Sequence, residues 1–171
     1  MDACQSKGVL ELICGLQNPE DFAKIPDENA LVVSQFAGLA ALNEGNTFEG
    51  KISKLNLETN QISDFEIVFV AENTLGIGQA SCPPYQEFYP HGIDLFEGVQ
   101  LSGENLSPFL EEANLLAVVN HTSIDRIEFF LLFPEYVTFS DSNQDTLFWV
   151  GCVEGPESNT YFNDVVIARS E

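Results

Sequence analysis

The chain predicts an all-β fold made of repeated four-stranded units. Three observations carry this: short β-branched or aromatic runs, polar–apolar alternation within them, and turn-forming clusters that separate them in a pattern occurring twice. The first unit contains Ala30-Leu31-Val32-Val33-Ser34, a β-branched run that follows the turn-rich Pro26-Asp27-Glu28-Asn29. Lys51-Ile52-Ser53-Lys54-Leu55-Asn56-Leu57 alternates as a half-buried strand should. Glu58-Thr59-Asn60-Gln61 is a tight turn into a further strand over 62–70.

The second unit repeats the pattern, with strands expected over 91–96, 115–121, 126–133 and 146–154. Between the first two lies a long acidic loop containing Glu104, Glu111 and Glu112. A short helix is expected there over 107–113, because Ser107-Pro108 suits an N-cap followed by proline. Gly155-Pro156 closes the unit, and 163–170 reads as the innermost strand of a third. A unit of roughly 40 to 70 residues with about four strands fits a β-propeller with insertions. The expected layout is 15–75 for one blade, 88–156 for a second and 160–171 for the start of a third.

Composition limits the partners. The 27 acidic residues against 6 basic ones give a formal charge of −21, which disfavours nucleic acid and anionic membrane surfaces. Most of these carboxylates are expected to be solvated surface charge. A hydrophobic content of 44% with 14 Phe is enough to build a core. No apolar run approaches the ~20 residues of a membrane-spanning helix. Met1-Asp2-Ala3-Cys4-Gln5 lacks the basic and apolar regions of a signal peptide, and would suit a mature N-terminus with an added Met or a processed lipoprotein. The four cysteines, Cys4, Cys14, Cys82 and Cys152, show no CxxC spacing, and their pairing cannot be read from the sequence.

The chain has 2 histidines, His91 and His121, each at the end of an expected strand. Imidazole titrates near neutral pH, so the pair suits a proton relay. From spacing alone, two unrelated loop histidines are the simpler interpretation. Likewise, Glu20, Asp21, Asn163 and Asp164 taken alone read as turn and strand-cap residues.

The words around these residues change that balance. Phe88-Tyr89-Pro90-His91-Gly92-Ile93-Asp94-Leu95-Phe96, then Leu115-Leu116-Ala117-Val118-Val119-Asn120-His121, then Ile127-Glu128-Phe129-Phe130, resemble the arylesterase signature of the paraoxonase family. Asn18-Pro19-Glu20-Asp21-Phe22 upstream and Phe162-Asn163-Asp164-Val165-Val166 downstream resemble two further family segments, in the same order. The resemblance spans nearly the whole chain but only about the first half of the family's domain. It implies a six-bladed β-propeller of the calcium-dependent phosphotriesterase/paraoxonase type, here as about two blades plus the first strand of a third. Such a propeller needs roughly twice this length. The chain is therefore expected to be partial, with open strand edges that could drive self-association or a dimer of halves.

The resemblance also implies a chemistry: hydrolysis of a small aryl ester or lactone at a calcium site. Glu20, Asp21 and Asn163-Asp164 would open innermost strands and converge on the propeller axis, together with His91. Two calcium ions are implied. Glu20 and Asn163 would ligate the catalytic one. Asp21 and Asp164, helped by the backbone carbonyl of Ile93, would ligate the structural one. Adjacent strand residues point to opposite sides, which lets each pair serve two depths. His91 would act as general base on water, and His121 would orient it or relay the proton. No Gly-x-Ser-x-Gly elbow is present, and Ser123 carries little weight as a nucleophile. Phe36 could line an aromatic pocket, an ordinary core position being the simpler reading. The family's remaining calcium ligands belong to blades outside this chain, so a non-catalytic, calcium-stabilised half-propeller is the alternative. A gluconolactonase-like calcium propeller is a second alternative. The family's disulfide implies a partner for Cys14 or Cys4 beyond Glu171, leaving a buried free thiol here. Periplasmic or extracellular localisation is likewise implied by resemblance alone.

Overall fold

The computed structural model describes residues 8–9, 12–36, 50–70, 75–99, 113–134, 145–156 and 160–168. Within them the chain is all-β. Strands β1 (Pro19–Lys24), β2 (Ala30–Gln35), β3 (Lys51–Asn56) and β4 (Ile62–Asp64) form one sheet in sequential order. Strands β5 (Glu66–Phe69), β6 (Pro90–Phe96), β7 (Asn114–Asn120), β8 (Arg126–Leu132) and β9 (Thr146–Glu154) form the second, in the order β5-β9-β8-β7-β6. Neighbours are antiparallel except β5 and β9, which run parallel. Neither sheet closes on itself. No helix among the described residues is long and apolar enough to cross a membrane.

The turns form where their residues require them. Asp27, between β1 and β2, and Asn60, between β3 and β4, both take a positive φ of 57°, a conformation that Asp and Asn tolerate better than most residues. The Asn56 side chain accepts the Glu58 and Thr59 amides at 2.9 and 3.0 Å, closing an Asx turn.

The core lies between the sheets. Ile25, Ala30, Val32, Ile52 and Phe65 from the first pack with Ile93, Leu116, Val118, Phe130, Leu132, Leu147 and Trp149 from the second. The alternate residues of the second sheet are also covered. Leu131 and Val150 pack with Phe129, Phe148, Val70 and Phe96 on its far side. That explains why β7 reads as a near-continuous apolar run rather than an alternating one.

Three expectations change. The strand expected over 62–70 breaks at Phe65: Ile62–Asp64 pairs with β3, and Glu66–Phe69 crosses to pair with β9. Phe65 is buried in the shared core, and its amide donates to the Ile52 carbonyl at 3.0 Å while that of Glu66 donates to Asp145 at 2.9 Å. The crossover is thus bonded to both sheets. Residues 160–168 form no strand. They run beside β6, tied by side-chain contacts, and pair with no strand among the described residues. Cys82 and Cys152 are joined in a disulfide, Cys14 is also disulfide-bonded, and no free thiol is found among the described cysteines. The helix expected over 107–113 lies outside the described residues, apart from Ala113, which is not helical.

Candidate active site

Strand pairing brings the two histidines together. In the antiparallel β6–β7 ladder Pro90 lies opposite Asn120, so the start of β6 and the end of β7 share one sheet end. His91 is the second residue of β6, and His121 follows β7 directly. The His121 amide donates to the Tyr89 carbonyl at 3.1 Å. The two rings lie with centroids 5.0 Å apart at 68°.

Phe36 stands against both. Its ring centroid is 6.0 Å from His91 and 6.1 Å from His121, close to perpendicular in each case. Its amide donates to the Asn18 carbonyl at 3.0 Å, which fixes it where β2 ends beside the start of β1. Phe36 is buried, yet it forms a wall of a cavity of about 730 Å³ that Glu20, Tyr89, His91, His121 and Asp125 also line. Phe36 is thus both covered, as a core residue is, and a wall of the pocket. Thr122 and Ser123 line the same mouth.

Each histidine has a carboxylate partner. His121 Nδ1 is 3.0 Å from Asp125 Oδ2, and the Asp125 side chain is 3% exposed. The same oxygen accepts the Phe162 amide at 2.8 Å. A neutral His121 then carries its proton on Nδ1 and leaves its lone pair on Nε2. His91 Nδ1 is 2.9 Å from the Asn163 carbonyl, and its Nε2 is 3.4 Å from Glu20 Oε2. A carbonyl only accepts, so Nδ1 donates and a neutral His91 keeps its lone pair on Nε2, beside Glu20.

The expected oxygen donors also gather around β6. Asp21 accepts the Ile93 amide on Oδ2 at 2.9 Å and the Phe22 amide on Oδ1 at 2.8 Å. The Ile93 group that meets Asp21 is thus its N–H; the carbonyl was the expected ligand. Asp164 Oδ1 accepts the Val165 amide at 2.8 Å. Asn163 reaches His91 through its backbone carbonyl. Gly92 makes this possible. A Cβ there would lie 2.5 Å from Asp164 Cα and 2.6 Å from the Asn163 carbonyl, so the two segments meet backbone to backbone. Gly92→Ala is expected to push 160–168 off β6, seen as increased amide exchange of Phe162 and Ile167 with the rest of β6 and β7 still protected. Unchanged protection there would refute the close approach.

The donors are of the right kind for calcium, being hard carboxylate, amide and carbonyl oxygens. They are incomplete in number: among the described residues no group of three or more His, Cys, Asp or Glu is gathered to hold a metal.

Behind the pocket lies a buried polar chain that sequence patterns did not single out. Asn120 Oδ1 accepts the Tyr89 amide at 2.8 Å, and its Nδ2 donates to the Glu87 carbonyl at 3.0 Å and to Glu128 Oε1 at 3.1 Å. Glu128 is fully buried and also accepts the Trp149 indole N–H at 2.8 Å. Burial raises its pKa above the usual carboxylate value, while Trp149, Asn120 and the Arg126 charge pull the other way. Arg126 Nε lies 3.2 Å from Glu128 Oε1 without hydrogen-bond geometry, and its guanidinium donates to the Pro83 carbonyl beside the Cys82–Cys152 disulfide. The chain runs from the core to the backbone that carries Tyr89 and His91. No protein-family model matches this sequence, and no match was found among curated proteins or solved structures.

Proposed function

We propose that the Phe36-walled pocket hydrolyses small aryl esters or lactones by general-base catalysis. The observation that supports this most is the placement of both histidines of the chain side by side in one cavity, each with its own carboxylate. His91 is oriented by the Asn163 carbonyl and His121 by the Asp125 carboxylate, and an oriented imidazole facing an open cavity is what a general base requires.

In this mechanism His91 Nε2 takes a proton from water as the water oxygen bonds to the carbonyl carbon. The acyl–oxygen bond then breaks, and the leaving oxygen takes up that proton as the alcohol or phenol departs. Glu20 stabilises the charged His91. His121, held by Asp125, orients the water or relays its proton. Phe36 and Tyr89 shape the apolar wall for an aryl group. Calcium belongs to the proposal through the resemblance. Glu20 and Asn163 would hold a catalytic ion, which would supply polarisation of the substrate carbonyl, and Asp21 and Asp164 a structural one. With so few converging donors its binding is expected to be weak.

The test is hydrolysis of phenyl acetate and δ-valerolactone, with and without calcium, alongside calorimetric calcium titration. Turnover that needs both histidines supports the proposal. Calcium binding with no turnover of either substrate would favour a non-catalytic binding module. Absence of both would overturn the proposal.

A further inference from the structure

The pocket has a one-sided charge. Among the described residues its lining includes three carboxylates, Glu20, Glu87 and Asp125, and no Lys or Arg. The chain around it carries a formal charge of −21. A cleft lined by one sign of charge focuses the field of the whole molecule and enriches ligands of the opposite sign. The rings add a second, geometric element. Phe36 meets Tyr89 at 70°, His91 at 71° and His121 at 83°, so aromatic walls stand near right angles around one corner. Near-perpendicular aromatic walls next to carboxylates suit a quaternary or protonated amine, which gains from ring faces and from net charge together.

We infer that this pocket selects its ligand by charge: it takes esters bearing an ammonium group in preference to neutral ones, and rejects anionic ones. The inference rests on the proposed function for its turnover arm only; the binding arm stands alone. It has a consequence for the reaction itself. Hydrolysis converts a neutral ester into a carboxylate within an acidic cleft, so the product is repelled from the place where it forms. Calcium on Glu20 would offset part of this charge and leave Glu87 and Asp125.

The binding arm follows the ring signals of His91 and His121 by NMR during titration with tetramethylammonium, against neopentyl alcohol as the neutral isostere, in EDTA and again with calcium. The turnover arm compares kcat/KM for acetylcholine, its neutral isostere 3,3-dimethylbutyl acetate, and 3-acetoxypropanesulfonate. The expected order is cation, neutral, anion, with roughly fivefold between the first two, the scale of one exposed cation–π contact. The spread should shrink in 0.5 M salt. Glu87→Gln should narrow the cation-to-neutral ratio. Saturable tetramethylammonium binding at the two rings, with no response to the alcohol, supports the inference even if no ester is turned over; in that case only the hydrolase proposal falls. Hydrolysis of the neutral ester with equal or poorer handling of the cation, and no ring response to tetramethylammonium, overturns the inference while leaving the hydrolase standing.

Discussion

Replacing His91 by Gln should lower ester turnover by about 10²- to 10⁴-fold, the usual contribution of a positioned general base. Gln is uncharged and of similar length, but its amide sits one atom further out than Nδ1, so the 2.9 Å contact to the Asn163 carbonyl is lost with the ring. It removes the basic nitrogen beside Glu20. The fold should be untouched, because His91 is only partly buried at the pocket end of β6. Calcium affinity should change far less than turnover, since the oxygens proposed to hold the two ions belong to Glu20 and Asn163, and to Asp21 and Asp164. Steady-state kinetics and calcium calorimetry on the same samples decide the matter. Equal losses in both would mean that His91 supports the metal site and is not the base.

A second large effect is expected far from the rings. Arg126→Met should destabilise the protein by about 3–5 kcal/mol, the range for removing one partner of a buried charge pair. It strips the guanidinium from Glu128 while leaving the fully buried carboxylate with Trp149 and Asn120. The sign with pH follows from the raised Glu128 pKa. The native state then holds its proton more tightly than the unfolded chain. Stability is therefore lost as pH rises from the ordinary carboxyl value, about 4.3, through the raised one. Losing Arg126 raises that value further. The gap between variant and parent in urea unfolding should be wider at pH 8 than at pH 5. A gap that is small and independent of pH would show that Arg126 contributes little to keeping Glu128 charged.

The strands were largely legible because their pattern is local. Period-two alternation placed β3, and β-branched or aromatic runs placed β7 and β8. The pairing of the histidines was legible once β6 and β7 were neighbours, since each lies where one of those strands begins or ends. The break at Phe65 left a mark that went unused. Ile62 falls on even positions, while Phe65 and Ile67 fall on odd ones, so a single uninterrupted strand could not bury all three on one face. Arg126 and Glu128 share parity with the core residues Phe130 and Leu132. Two charges on the inward face of a strand announce a buried pair, and the Trp149 indole completes it. Asp125 was harder to assign. It reaches His121 across the intervening residues 122–124, and no periodicity reports that. That Phe36 is covered and also walls the pocket depends on which distant segments meet it, which local pattern does not report. The pairing of Cys82 with Cys152 depends on where a loop comes to rest against the distant strand β9, which spacing cannot supply.

The parallel pairing of β5 with β9 carries a kinetic consequence. Glu66 finds its partner Thr146 some 80 residues later in the chain. At a synthesis rate of ~5–20 residues per second, β5 leaves the ribosome several seconds before the strand that completes it. During that interval Val68 and Phe69 belong to an unpaired apolar segment. A contact this distant also closes slowly once both strands exist. The nascent chain is thus most prone to aggregate between the emergence of β5 and that of β9, and a chaperone that shields residues 66–69 over that window should raise the yield of native protein.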